Sequence, residues 1–164
     1  MQSALFEDRV PVRAARSPRP HSIATVRCEM VREGRLSCER RIGAPEDVAE
    51  VLVPWIGARD REHFVILCLD VKGKPVAAQI VSIGTLDSTL VHPREVFRAA
   101  ILCNASCIIV GHNHPTGDTS PSPEDRGVTA RLVEAGKVLG LDVQDHVIVG
   151  DSGAWTSLRR EGQM

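Results

Sequence analysis

The sequence has no tyrosine, only 3% aromatic residues, and no C-x-x-C pair among its five cysteines. Few aromatics remove the stacking platforms on which single-strand nucleic-acid binders depend. An odd cysteine count with no C-x-x-C pair argues against both a disulfide framework and a cysteine zinc site, and a reducing compartment follows as the expected home. Long apolar runs are also missing. The stretch Phe64 to Leu69 is far short of the ~20 residues that a membrane helix needs, and the N-terminus lacks the apolar core of a secretion signal. The expected location is the cytoplasm, with no membrane partner.

What is present fits one globular domain. The chain has 164 residues, 43% hydrophobic and 25% charged, enough to bury a core. A net charge of −1 conceals an asymmetry, because residues 1–41 hold nine arginines against Glu7, Asp8, Glu29, Glu33 and Glu39. A basic front of this kind can touch phosphate, although a solvated arm is the commoner outcome. Residues 1–21, with Pro18 and Pro20 and no hydrophobic period, read as a flexible basic arm, and residues 22–164 as the folded domain.

Within that domain, Ile23 to Val31 and Arg35 to Arg41, separated by Glu33-Gly34, suggest a hairpin. Pro45 opens a helix carrying Val48, Val51, Leu52, Trp55 and Ile56 on one stripe, with Gly57 as its stop. The apolar run after Glu62 reads as a central strand covered on both faces, and Pro75 to Ile83 as its antiparallel neighbour. Pro93 starts a second helix. Ser106 to Val110 is a further buried strand, Ser122 launches a third helix that ends at Gly140, and Leu141 to Val149 and Ala154 to Ser157 supply the last strands. The fold class is α/β or α+β, with about three helices packed on a mixed sheet.

Chemistry concentrates in Gly111-His112-Asn113-His114-Pro115-Thr116-Gly117-Asp118, followed by Pro121-Ser122-Pro123-Glu124-Asp125. Side chains two apart in extended backbone share a face, so His112 and His114 can chelate one ion. A carboxylate from the first turn of the next helix would complete two nitrogens and one oxygen, leaving a fourth zinc position for water. Iron(II) accepts a similar set but needs more open positions. Taken alone, Ser122-x-x-Asp125 is equally a helix capping box with Pro123 at the first helical position, and the two readings are compatible. His-Asn-His as three adjacent letters is a coincidence of spelling with the nuclease motif of that name.

The segment His112-x-His114-Pro115 with Ser122-x-x-Asp125 resembles the signature of the JAMM (Jab1/MPN) metalloproteases. Arg61-Glu62-His63-Phe64, Gly84-Thr85-Leu86, His92-Pro93-Arg94-Glu95 and Asp145-His146-Val147-Ile148-Val149-Gly150 extend the match to the RadC-like branch. It covers about residues 22–158. The resemblance implies an MPN-type, cytidine-deaminase-like three-layer fold in which His112, His114 and Asp125 bind Zn2+. It further implies that Ser122 hydrogen-bonds the attacking water or the oxyanion, and that Glu62 is the general base and later the acid that protonates the leaving amine. The implied activity is zinc-dependent hydrolysis of a peptide or isopeptide bond in a peptide or protein substrate. Thr116 stands where the family usually has serine. The helix-hairpin-helix region common before such domains is replaced here by the arginine-bearing arm, so a DNA-binding role carried by that region does not transfer. A nucleic-acid-associated repair factor, the label attached to RadC relatives, is the alternative reading; a non-catalytic MPN interaction module is another. A homodimer is compatible with all three. His146 is read either as support for the site or as a hydrogen-bonded strand histidine, and Cys103 and Cys107 as core residues.

Overall fold

Strand β1 (His63–Leu69) is buried along its whole length, and its side chains alternate between two cores. Phe64, Ile66 and Cys68 enter one; Val65, Leu67 and Leu69 enter the other. A strand apolar on both faces must lie inside its sheet with a layer packed on each side. The computed structural model, which describes residues 23–38, 40–84 and 91–164, shows this arrangement. β1 pairs antiparallel with β2 (Pro75–Ile83) on one side and with β3 (Cys107–Asn113) on the other; β3 pairs parallel with β4 (Asp142–Val149), and β4 antiparallel with the short β5 (Trp155–Ser157). The order is β2-β1-β3-β4-β5, a mixed sheet.

Helices α2 (Pro93–Leu102) and α3 (Pro123–Leu139) close the first core with Val96, Phe97, Ala100, Val128 and Leu132. The second is closed by α1 (Pro45–Leu52), through Val48, Val51 and Leu52, and by Ile56 just beyond it. The result is the expected three-layer sandwich of helices around a mixed sheet. Parallel β3 and β4 need a long crossover, and α3 is that crossover. Its first turn therefore returns over the C-terminal end of β3, where His112 lies.

Local chemistry explains the boundaries. Asp47 Oδ2 accepts from the amides of Gly43 (2.8 Å) and Ala44 (3.0 Å), capping α1 from inside its first turn. The expected helix to Gly57 is shorter in α form, because Pro54 has no N–H to give the ladder and the chain widens into a π-helical turn over Val53–Gly57. At its other end, α3 stops at Gly140, whose φ of 67° is the left-handed conformation that glycine adopts without penalty. Thr85-Leu86, quoted for the resemblance, and residues 1–21, expected to form a basic arm, lie outside the described residues.

The hairpin expected over Ile23–Val31 and Arg35–Arg41 is not formed. Residues 23–38 carry no strand, and Ile23, Val26 and Val31 are exposed. β-branched residues favour a strand only when a sheet receives them, and a two-stranded hairpin with no face to pack on is marginal in water.

Candidate metal centre

Three donors meet where β3 ends and α3 begins. His112 lies in the last turn of pleat of β3 and is fully buried; His114 follows one residue past the strand; Asp125 is the third residue of α3 and is also buried. His112 Nε2 is 3.0 Å from His114 Nε2 and 3.2 Å from Asp125 Oδ1, and His114 Nε2 is 3.6 Å from Asp125 Oδ2. All three ligand atoms lie within 4.8 Å of one another. Zinc bonds of ~2.0–2.1 Å at tetrahedral angles put donors about 3.3 Å apart, so the spacing and the N, N, O chemistry both fit that ion.

The capping box and the ligand set use one residue. Asp125 Oδ2 accepts from the Ser122 amide (2.8 Å) and the Ser122 hydroxyl (2.7 Å), while the Ser122 Oγ accepts from the Asp125 amide (3.1 Å). That reciprocal cap turns Oδ1 toward His112. The capping-box reading of Ser122-x-x-Asp125 is thus realised, the same carboxylate stands beside both histidines, and the Ser122 proton is directed at that carboxylate. His114 is turned by its Nδ1–H, which donates to the Asp118 carbonyl and leaves Nε2 facing inward.

The electrostatics follow from burial and from this pairing. Burial pushes the Asp125 carboxyl up, but His112, His114 and Ser122 outweigh it and hold the group well below the usual carboxylate range. Burial lowers His112 despite Asp125, whereas the half-buried His114 is raised, first by its contact with Asp125. Of the two rings His114 is therefore the more readily protonated, and a proton on its Nε2 would lie between the donors.

Glu62 immediately precedes β1. The antiparallel register pairs Phe64 with His112, so the segment before β1 runs toward the end of β3 that carries the histidines, and the charge of Glu62 favours the protonated form of both His112 and His114. The Glu62 carbonyl accepts from the Gly84 amide (2.9 Å). Cys103 and Cys107 are partly buried and pack against the two cores, away from the centre.

Four neighbours complete the site, of which only His146 is read from the sequence as a support for it. Asn113, fully buried between the two histidines, bonds the chain on either side of Glu62. Thr129 on α3 and His146 on β4 form a buried chain of hydrogen bonds that ends on His112 Nδ1. Phe64 stacks on His112 at 6.2 Å and meets His146 edge-on at 5.7 Å, so an aromatic ring shields both imidazoles. A polar residue ending an apolar strand is the cue that would have found Asn113; the sequence already offers His146 with two alternative readings, and Thr129 has only its position one turn after Asp125.

A mixed sheet with His-x-His at the end of one strand and an aspartate from the first turn of the crossover helix defines a JAB/MPN-type domain. This chain belongs to the RadC-like JAB domain family, whose model matches residues 42–163. It is 45% identical over 124 residues to the UPF0758 protein Mbar_A2303 of Methanosarcina barkeri, covering 76% of this chain and 54% of that one. Over 121 residues it is 51% identical to the UPF0758 protein TTE0897 of Caldanaerobacter subterraneus, covering 74% and 52%. A UPF0758 protein of Rubrobacter xylanophilus is 46% identical over 123 residues, covering 75% and 53%. The chain thus spans about half the length of these relatives. Among the described residues no helix is long and apolar enough to cross a membrane.

Proposed function

We propose that the domain is a zinc-dependent hydrolase that cleaves an amide bond, peptide or isopeptide, in a peptide or protein substrate. The observation that carries this reading is the convergence of His112 Nε2, His114 Nε2 and the Asp125 carboxylate at 3.0–3.6 Å. These three residues would hold the ion. Zinc in such a site lowers the pKa of its water to about 7 and polarises a carbonyl.

The protein's own groups do the remaining work. Glu62, just before β1 and near enough for its charge to act on His112 and His114, takes the proton from the attacking water and returns it to the departing amine, so one carboxylate serves as base and then acid. Ser122 orients Asp125 through its 2.7 Å hydrogen bond, and its hydroxyl is a donor for an oxyanion when it turns from the carboxylate. The buried floor of Phe64 and His112 keeps water from the inner side, which strengthens the pull of each charge there.

The test has two parts. Elemental mass spectrometry on protein purified without chelators should give about one zinc per chain, and little in His114→Ala. Peptide and isopeptide substrates should then be cleaved by the wild type and left intact by Glu62→Gln, which keeps its zinc. Equal metal in wild type and His114→Ala would remove the metal centre; full activity in Glu62→Gln would remove Glu62 from the reaction.

A further inference from the structure

Three hydrogen bonds lead from α3 through the protein interior to His112, and each has one permitted direction. Thr129 Oγ1 is 2.6 Å from the Asp125 backbone oxygen. A carbonyl oxygen has no proton, so Thr129 donates and its only proton is spent. The same Oγ1 lies 2.6 Å from His146 Nδ1 and must accept there, which puts a proton on His146 Nδ1. The partners of the two ring nitrogens of His146 are Thr129 and His112, with no carboxylate on either, and the ring is fully buried. The neutral imidazole has one ring proton, and the hydrogen bond to Thr129 places it on Nδ1. His146 Nε2 is therefore bare, and at 2.7 Å it accepts from His112 Nδ1.

We infer that Thr129 and His146 are positioning residues that lock His112 in its Nδ1–H tautomer, so that the lone pair of Nε2 faces His114 and Asp125. The inference rests on reading this cluster as a metal centre and adds what prepares it. The other tautomer would point a proton into the space where the donors converge. The fold supplies the relay economically: Thr129 lies one helical turn beyond Asp125 on α3, and His146 stands level with Val110, two residues before His112, in the parallel β3–β4 pair. A hydrogen bond to the outer nitrogen of a ligating histidine fixes ring orientation and basicity, and losing it typically costs ~10–100-fold in metal affinity.

The experiment is long-range 15N–1H NMR on the metal-free full-length chain, which distinguishes the tautomers of each histidine, together with zinc affinity by competition with a chelating dye. Thr129→Val keeps the shape of the side chain and removes the hydroxyl; Thr129→Ser restores it. Wild type should show His112 protonated at Nδ1. Thr129→Val should shift His112 toward the Nε2–H form and bind zinc roughly 10–100-fold more weakly, and Thr129→Ser should recover both. A folded Thr129→Val protein with unchanged tautomer and unchanged affinity would overturn the inference, as would Nε2–H on His112 in the wild type. A wild type with the inferred tautomer that shifts in Thr129→Val, yet takes up no zinc, supports the relay and overturns the metal centre alone.

Discussion

The side chain of Asn113 grips the backbone on both sides of Glu62. Its Oδ1 accepts from the His63 amide at 2.7 Å, and its Nδ2 donates to the carbonyls of Arg61 (3.1 Å) and Arg59 (3.3 Å). Asn113 is itself buried and follows His112 directly, so one short run of β3 fixes both a candidate metal ligand and the proposed proton carrier. Replacing it by alanine strands a buried donor and loosens the loop before β1. Asn113→Ala should lose ~1–3 kcal/mol of stability, measured by urea unfolding, and should lower kcat for amide cleavage while zinc stays near one per chain. Unaltered kcat in a folded variant would show that Glu62 does not depend on this clamp.

Ser122 has two jobs in the geometry, and the variants separate them. Alanine removes both the cap and the hydroxyl that bonds Asp125 Oδ2. Ser122→Ala should therefore destabilise the protein by ~0.5–2 kcal/mol and weaken zinc binding. Threonine keeps a cap and a hydroxyl and should restore both. Thermal unfolding and dye competition check the two effects independently; zinc affinity equal to wild type in Ser122→Ala would mean that the backbone alone orients Asp125.

The raised pKa of His114 sets the pH response of metal uptake. Its contact with Asp125 comes first among the causes, and its folded value lies above the ordinary 6.5. The proton there must leave before an ion can use Nε2. Zinc affinity should thus be level at alkaline pH and fall on acidification, starting above pH 6.5, by about tenfold per unit once His114 is protonated. For the metal-free protein the sign is opposite. A group whose pKa is raised on folding contributes stability that is full below the unfolded value and lost as pH rises through the folded one. Apparent zinc affinity between pH 5.5 and 8.5 measures the first effect; a profile flat to below pH 6 would place the proton elsewhere.

How much of this was legible in the sequence depends on which physics each residue reports. Strands and helices were readable because burial on both faces leaves an unbroken apolar run, as in β1, and because Ser122-Pro123 and Gly140 mark helix ends chemically. The pairing of His112 with His114 was readable from residue type and spacing. Asp125 and Glu62 could be chosen from the other acids only through resemblance to a family, since position in a first turn or before a strand is shared by many carboxylates. Residues 23–38 failed in the opposite direction: their β-branched pattern is a statement about surface preference, and no strand among the described residues receives it. Asn113 and Thr129 act through contacts 17 to 54 positions apart, a distance that local pattern does not report, and the same distance leaves His146 open between a support for the site and a strand histidine.

The position of the ligand strand against α1 rests on a missing side chain. Gly111, directly before His112, faces the helix on the second core, and a Cβ added there would lie 2.3 Å from Leu52 Cδ1. No real contact is that short, so α1 must retreat or Leu52 must leave its rotamer. Both are expensive, because Leu52 is fully buried among Val65, Ile109 and Val147. Gly111→Ala should destabilise the protein by ~1–3 kcal/mol through overpacking. The same methyl also presses toward the Val147 carbonyl at 3.4 Å, beside His146, so zinc affinity should fall with stability. Trimming the opposing residue tests the cause: in Gly111→Ala with Leu52→Ala the two losses should be less than additive, since each substitution relieves the other. Strict additivity in urea unfolding would mean that the cost of Gly111→Ala comes from the strand backbone and not from its approach to α1.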